Sequence, residues 1–254
     1  MQTLLVIGIG VGNPEQLTLE AVEALNQVDV FFVMDKGPVK GDLNELRKRI
    51  CDRFVRGRAF RVVELPDNPR DPAIEPYEAR VAAWHEQRAR SYAESLEREL
   101  AEDQCGGILV WGDPSLYDST LRVLEQVAAR GLRFDYRVIP GISSVQALAA
   151  SHRIALNRVG GAVHLTTGRR LAAAVREGHD DVVVMLDGEC SWKALDPEAF
   201  EIYWGAYLGW PHERVISGVL SDASSAIERE REALRKEHGW IMDTYLIRRI
   251  RPDR

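Results

Sequence analysis

The feature that most constrains the fold is a short apolar run that ends abruptly in a polar, glycine-containing break. Residues 108–111 read Ile-Leu-Val-Trp, a β-rich run that predicts a buried strand, and Gly112-Asp113-Pro114 interrupts it. Residues 118–120 then offer Asp, Ser and Thr as N-caps for a helix that Gly131 would end. In open α/β sheets, the loop between such a strand and its helix is where small ligands bind.

The same pattern recurs in the N-terminal half of the chain. Residues 3–9 predict a strand that runs into glycines at positions 8, 10 and 12, and residues 30–34 predict a second strand that ends at Asp35. Helical patterns follow, one capped by Thr18 and one over residues 43–50. Alternating strands and helices predict a mostly parallel α/β sheet.

The rhythm changes after Pro140-Gly141, which we take as the domain junction. Runs that predict strands cover residues 163–166, 182–186, 202–208, 214–220 and 241–250. The last three of these strands have only one long helix among them, over residues 223–238, which predicts a mixed, partly antiparallel second sheet. We therefore expect an N-terminal α/β domain over residues 1–139 and a C-terminal α/β domain over residues 140–254.

The region before the junction contains two less regular stretches. Prolines at positions 66, 69, 72 and 76 predict a surface loop, and a long charged helix is predicted from Tyr77 to about Asp103. Phe134, Tyr136 and Val138 alternate with polar residues, which predicts a half-buried strand.

Composition argues against several classes of function. The three cysteines form no CxxC pair, so we expect neither disulfides nor a zinc site, and a cytoplasmic location is the default. No two of the six histidines are spaced i, i+4 on a helix, so we expect no metal. No apolar run approaches the ~20 residues of a membrane helix, so no membrane partner is expected. The net charge of −6 argues against nucleic acid as a partner.

The N-terminal glycine loop leaves two interpretations open. A dinucleotide-binding fingerprint would need its third glycine one residue later, where Asn13 stands. The loop is therefore either a tight strand-to-helix turn or a variant site of a nicotinamide-dependent dehydrogenase, in which Asp35 would bind the ribose.

Four blocks, taken in order, resemble the tetrapyrrole methyltransferases. They are GIGVGNPEQLT at residues 8–18, GDPSLY at 112–117, PGISSVQA at 140–147 and ERVISG at 213–218, and together they span nearly the whole chain. Two residues depart from the usual family pattern, because Val11 replaces a proline and Asn13 an aspartate. The region between Arg61 and Asp103 is also longer than in most members.

The resemblance implies two α/β domains with the class III tetrapyrrole methylase fold, a mostly parallel N-terminal sheet, a mixed C-terminal sheet and a cofactor cleft between them. It also implies S-adenosyl-L-methionine as cofactor, S-adenosyl-L-homocysteine as its product, and a homodimer. Carried over by motif, the expected cofactor contacts are Val11, Trp111, Gly112, Asp113, Leu116, Ser143, Ser144, Leu186 and Leu208. The match at Leu186 and Leu208 holds to within one or two residues.

The substrate that the resemblance implies is a tetrapyrrole. Residues 111–120, the extended region before them and HLTTGR at residues 164–169 resemble one branch of the family, and this resemblance implies C-methylation of precorrin-5 at C-1 with release of acetate, in aerobic cobalamin biosynthesis. Asp35 and Tyr117 match positions that face substrate in the family, so they are the candidate catalytic residues. Arg153 and Arg169 are candidates for binding the substrate carboxylates, because guanidinium groups suit bidentate contacts.

Several alternatives stay open. Deacetylation needs a general base, and the sequence does not choose between His152 and His164. A sibling methyltransferase acting on another precorrin would share the cofactor and the fold. A non-catalytic tetrapyrrole-binding protein and the dehydrogenase are the alternatives from other classes.

Overall fold

A computed structural model describes residues 2–35, 41–57, 59–66 and 69–251, with the backbone alone at residues 35, 41 and 42. The chain divides into two compact units, Met1–Ser143 and Ser144–Arg254, close to the Pro140-Gly141 junction. Each unit has its own five-stranded sheet.

The first unit alternates strands and helices, as the sequence predicts. Its elements are β1 (Gln2–Gly8), α1 (Leu19–Leu25), β2 (Val30–Asp35), α2 (Gly41–Phe54), β3 (Arg61–Pro66), α3 (Tyr77–Glu99), β4 (Cys105–Val110), α4 (Thr120–Ala129) and β5 (Phe134–Ile139). The strands lie in the order β3-β2-β4-β1-β5, and every described pairing is parallel. The predicted parallel sheet is confirmed.

The core of this unit explains why its strands read as continuous apolar runs. Leu4, Val6 and Phe32 point to the face that α3 and α4 cover, where they pack against Leu96 and Leu124. The alternate residues on the other face are buried as well, since both faces of a parallel sheet are covered by helices.

Helix ends follow the residues that the sequence offers for them. The Thr18 hydroxyl accepts a hydrogen bond from Ala21 N at 3.0 Å and begins α1. At the other end of the unit, α4 stops at Ala129 and Gly131 takes a left-handed φ of +96°. Both expected caps are confirmed.

One strand of this unit was not expected, and one expectation about burial was wrong. β3 was not predicted, because Leu65 is its only fully buried residue and Pro66 ends it. Tyr136 and Val138 are 39% and 38% exposed rather than half-buried, because β5 lies at the edge of the sheet. Helix α3 also ends at Glu99, a few residues before the expected Asp103.

The second unit has the mixed sheet that its strand-rich rhythm predicts. Its elements are α5 (Ser144–His152), β6 (His164–Thr167), α6 (Leu171–Arg176), β7 (Asp181–Met185), β8 (Phe200–Ala206), β9 (Arg214–Val219), α7 (Leu220–His238) and β10 (Asp243–Arg249). The order is β6-β7-β10-β8-β9; β6 and β7 are parallel, and the other pairings are antiparallel.

Large aromatic residues fill the core of this unit. Trp192, Trp204 and Tyr245 are buried among branched aliphatic side chains, and the rings of Trp192 and Tyr245 meet edge to face at 4.9 Å.

Within the described part of the chain, no helix combines the length and the apolar character that crossing a membrane requires.

Candidate functional site

In the first unit, the loops that leave β1 and β4 are joined by their main chains. Gly112 N donates to Gly10 O at 2.8 Å, and Gly10 N donates to Gly112 O at 3.3 Å. Both glycines have left-handed φ angles, +71° and +68°, which side chains other than glycine rarely adopt. The glycines of the two loops therefore form one short bridge at the carboxyl edge of the sheet.

The loop that leaves β5 packs against this bridge without room for a side chain. A Cβ added to Gly141 would lie 2.2 Å from Gly112 O and 2.8 Å from the Gly8 carbonyl carbon. A Cβ added to Gly8 would lie 2.6 Å from Gly141 N. The main chains of three loops, following β1, β4 and β5, are therefore in close contact here.

Asp113 fastens these loops together. Its Oδ2 accepts a hydrogen bond from Gly141 N at 2.9 Å, and its Oδ1 accepts bonds from the Ser115 amide and hydroxyl. Burial by itself would raise the pKa of Asp113, but the bonds from Ser115 and Gly141 outweigh it and hold that pKa below its ordinary value. Asp113 is therefore ionised at neutral pH and acts as a latch.

The other predicted cofactor residues of this unit lie on the same loops. Val11 and Ser143 are buried at 2% exposure each, whereas Trp111 and Leu116 are half-buried. Tyr117 is 43% exposed with a positive φ of +51°, so the loop presents it outward. Partial burial of its hydroxyl raises the pKa of Tyr117, which leaves a proton available for donation.

Asp35 is the last residue of β2, at the same edge of the sheet. Its side chain lies outside the described part of the chain, so its role stays a prediction.

In the second unit, Leu186 follows β7 in a strained conformation. Its φ is +55°, and its side chain is 67% exposed although it is aliphatic. A left-handed conformation costs a leucine about 1–2 kcal/mol, so the surrounding structure must impose it. Leu186 thus stands out at the carboxyl edge of the second sheet.

The constraint on Leu186 comes from the next residue, Asp187, which is 6% exposed. Its carboxylate accepts hydrogen bonds from Tyr245 Oη at 2.6 Å, Ser191 N at 2.7 Å and Glu189 N at 3.0 Å. Burial would raise the pKa of Asp187, but these bonds more than compensate and lower it. A Cβ on Gly168 would come within 2.4 Å of Asp187 Oδ1, so glycine is required after β6.

A buried ion pair also holds the Asp187 loop in place. Arg231 Nη2 donates to the Asp187 carbonyl at 2.7 Å, and Arg231 Nε donates to Asp243 Oδ2 at 2.7 Å. Trp204 Nε1 donates to the same Asp243 oxygen at 2.7 Å. Sequence reasoning did not identify this network, because its members are far apart in sequence.

Leu208, the last predicted cofactor contact, lies beyond β8 and is 5% exposed. It packs on Gly205, where an added Cβ would lie 2.7 Å from its Cδ2. Ser144 begins α5 and is half-buried.

The arginines singled out for substrate binding have different surroundings. Arg153 is exposed just after α5 with a φ of +56°, and Arg169 is exposed in the turn that follows β6. Arg158 lies between them in sequence, but it donates to Arg249 O and lies 3.7 Å from Asp181. It therefore has a structural role.

The two histidines considered as bases are held by other groups. His152 Nε2 lies 2.9 Å from the Trp204 carbonyl, and burial lowers the pKa of His152, so it is neutral at pH 7. His164 is the first residue of β6, about 10 Å along the strand from its carboxyl end. Its ring stacks on that of His179 at 4.0 Å. In the residues that the structure describes, no cluster of three or more potential metal ligands occurs.

The chain belongs to the tetrapyrrole (corrin/porphyrin) methylases, whose family model matches residues 3–224. Both sheets have the arrangement of the class III methylases. Among curated proteins, it is similar to precorrin-6A synthase [deacetylating] from Sinorhizobium sp., with 50% identity over 251 residues, or 98% of this chain and 96% of the relative.

Solved structures show the same fold. A cobalamin synthesis related protein (CobF) from Corynebacterium diphtheriae is 39% identical, with a TM-score of 0.84, over 99% of this chain and all of that one. Uroporphyrin-III C-methyltransferase from Thermus thermophilus, solved in complex with S-adenosylhomocysteine, has a TM-score of 0.59 over 96% of this chain and 91% of that chain. At 16% identity, the second likeness concerns the fold alone.

Proposed function

We propose that this protein is an S-adenosyl-L-methionine-dependent C-methyltransferase that methylates precorrin-5 at C-1 and releases acetate, giving precorrin-6A. The observation that carries the proposal is the 50% identity, over nearly the whole of both chains, to the relative named precorrin-6A synthase [deacetylating]. The substrate is a tetrapyrrole, and the product of the cofactor is S-adenosyl-L-homocysteine. We also propose a cytoplasmic homodimer.

The loops of the first unit suit a ligand that is bound through the main chain. The hydrogen bonds between Gly10 and Gly112, and the bond from Gly141 N to Asp113, fix the positions of these loops, so their remaining main-chain groups are rigidly placed. We propose that Val11, Trp111, Gly112, Asp113, Leu116 and Ser143 contact the cofactor in this unit. In the second unit, the proposed contacts are Ser144, Leu186 and Leu208.

The chemistry asks the protein mainly for alignment. S-adenosylmethionine supplies an electrophilic methyl group on a sulfonium, and the nucleophile is a ring carbon of the macrocycle. Rigid loops lower the barrier by holding the reacting groups in line, and positioning of this kind can supply roughly 7–11 kcal/mol. Methyl transfer itself needs neither a metal nor a covalent intermediate.

Tyr117 and Asp35 are proposed to orient the macrocycle or move a proton. Tyr117 keeps its proton at neutral pH, which suits a donor to a carboxylate or carbonyl oxygen. Arg153 and Arg169, both exposed, are proposed to bind substrate carboxylates. We assign no residue as the general base of deacetylation.

The test is to supply S-adenosylmethionine with individual precorrins under anaerobic conditions and to measure methyl incorporation and acetate. We expect one acetate per methyl with precorrin-5 and no turnover with the other precorrins. Methylation of another precorrin without acetate would instead identify a sibling methyltransferase. Thermal stabilisation by NAD but not by S-adenosylhomocysteine would favour a dehydrogenase.

A further inference from the structure

A cavity of about 460 Å³ lies in the first unit between α2 and the sheet. Phe31 and Val33 of β2 and Leu109 of β4 contribute its apolar wall. These residues point to the face opposite the α3 core, because the intervening Phe32 belongs to that core.

The two central strands diverge beside this cavity. β2 pairs with β4 only at Val30–Gly106 and Phe31–Gly107, whereas the pairing of β1 with β4 continues to Val110. Val110 O accepts from Ile9 N on the β1 side, so the preceding carbonyl, that of Leu109, faces the side from which β2 has turned away. As far as the described residues go, the sheet is therefore open at its carboxyl edge between Asp35 and the loop after β4.

Arg47 of α2 enters this opening. It is 9% exposed, and its Nε donates to Leu109 O at 3.4 Å while Nη1 donates to Asn44 Oδ1 at 3.0 Å. Both partners are neutral, and among the described residues no carboxylate lies within ion-pair distance of it. Among the described residues, Arg231 is also a buried arginine; it is 6% exposed and pairs with Asp243 at 2.7 Å.

A buried guanidinium without a carboxylate partner is unusual, because burying a charge is unfavourable unless the charge is paired. Burial lowers the pKa of Arg47, and the nearby Tyr92 and Asp118 act in the opposite direction. Asp118 Oδ1 is already engaged by Thr120 N at 2.7 Å. Three acidic residues also line the cavity, at positions 45, 52 and 64, but all are exposed to solvent.

We propose that Arg47 binds a carboxylate of the tetrapyrrole substrate at the open edge of β4. This inference rests on the proposed function, because it takes its ligand from the carboxylate-rich rim of a precorrin. A planar guanidinium that is charged at every accessible pH offers paired N–H donors that match a carboxylate. The bound carboxylate would supply the counter-charge that the described residues do not provide within ion-pair distance of Arg47.

The experiment compares Arg47→Met and Arg47→Lys with Arg49→Met, a matched charge loss at an exposed position on the same helix. Four quantities are measured. They are the Kd of uroporphyrin, a stable tetrapyrrole polycarboxylate, by fluorescence; KM and kcat for precorrin-5; and the Kd of S-adenosylhomocysteine by calorimetry. Methionine preserves the length and helix propensity of the arginine stem.

Loss of a bidentate charged contact should raise the Kd of uroporphyrin and the KM of precorrin-5 about 10- to 100-fold in Arg47→Met. The Kd of S-adenosylhomocysteine and kcat should stay within about twofold, and Arg47→Lys should fall between Arg47→Met and wild type. Uroporphyrin affinity and KM that match those of Arg49→Met would overturn the proposal.

Other outcomes separate this proposal from the function on which it rests. If Arg47→Met fails to bind S-adenosylhomocysteine because it does not fold, Arg47→Lys decides, and wild-type tetrapyrrole affinity there refutes the site. If wild-type protein methylates no precorrin but binds uroporphyrin through Arg47, the proposed function fails and the carboxylate site stands. If the wild-type protein is active but the KM of precorrin-5 does not change in the Arg47 variants, the proposed function stands and the carboxylate site at Arg47 is refuted.

Discussion

Replacing Gly141 by alanine tests the close meeting of the three loops in the first unit. The new methyl group would lie 2.2 Å from Gly112 O and within 2.9 Å of two Gly8 backbone atoms. Both neighbours are main chain held in strand or bridge hydrogen bonds, so neither can move without breaking contacts of its own. The structure therefore has no inexpensive way to accept the substitution.

The magnitude follows from two contributions. Overpacking by one methyl in a rigid setting costs about 1–3 kcal/mol. The displaced loop also weakens the hydrogen bond from Gly141 N to Asp113, and bonds to charged groups contribute about 1.5–3 kcal/mol. Because that bond is only partly lost, we expect the free energy of unfolding to fall by about 2–4 kcal/mol in total. This loss lowers Tm by about 5–15 °C in a domain of this size.

The assay is thermal unfolding together with calorimetric titration of S-adenosylhomocysteine. The matched control is Gly188→Ala, because an added Cβ there has no atom within 4 Å and its φ lies outside the left-handed region. We expect Gly141→Ala to lose stability and at least tenfold in ligand affinity, while Gly188→Ala keeps the stability of wild type. Equal melting of the two variants would refute the close-packing argument.

The remaining predictions concern two carboxylates. Asp113→Asn should cost about 1–3 kcal/mol in urea unfolding, because an amide cannot accept the bonds of both Gly141 and Ser115; unchanged stability would contradict the latch. Because the folded state lowers the pKa of Asp113, its stabilisation is complete above the unfolded value of about 3.9 and is lost as the pH falls through the folded value. The difference between wild type and Asp113→Asn should therefore shrink as the pH falls below about 4, and a constant difference would show that ionisation is irrelevant. Asp187→Asn should lower the free energy of unfolding by about 2–4 kcal/mol, because Tyr245 Oη loses its charged acceptor. The loop that contains Leu186 should then be less well held, so calorimetry should show weaker binding of S-adenosylhomocysteine. Wild-type affinity in a folded variant would show that this loop is not part of the cofactor site.

Much of the fold could be predicted because local signals and tertiary structure agree. Apolar strands with polar exits gave the parallel sheet, and Thr18 and Gly131 marked helix ends correctly. β3 was missed because an edge strand that buries only Leu65 has no apolar run to recognise. Edge position also left Tyr136 more exposed than its alternation suggests.

The parts of the site formed by glycine and proline residues in loops could be predicted from the sequence. The parts formed by side chains that are far apart in sequence could be predicted less well. Gly112 stood out as a strand exit and Gly141 as part of the domain junction, but nothing local shows that Asp113 joins their loops. Arg47 was overlooked in a helix rich in charge, although a signal existed: it lies four residues after Leu43, on the buried stripe of α2. A charged residue on the apolar face of a helix is the pattern that would have identified Arg47.

The central claim is that main-chain groups at the strand exits of the first unit hold the cofactor. The most direct measurement is a titration of [15N]glycine-labelled protein with S-adenosylhomocysteine, followed by amide chemical shifts. The account predicts saturable shifts of Gly10, Gly12 and Gly112, with no comparable effect of NAD. Saturable binding that leaves these three amides unmoved, with shifts only at remote glycines such as Gly131 and Gly178, would contradict it.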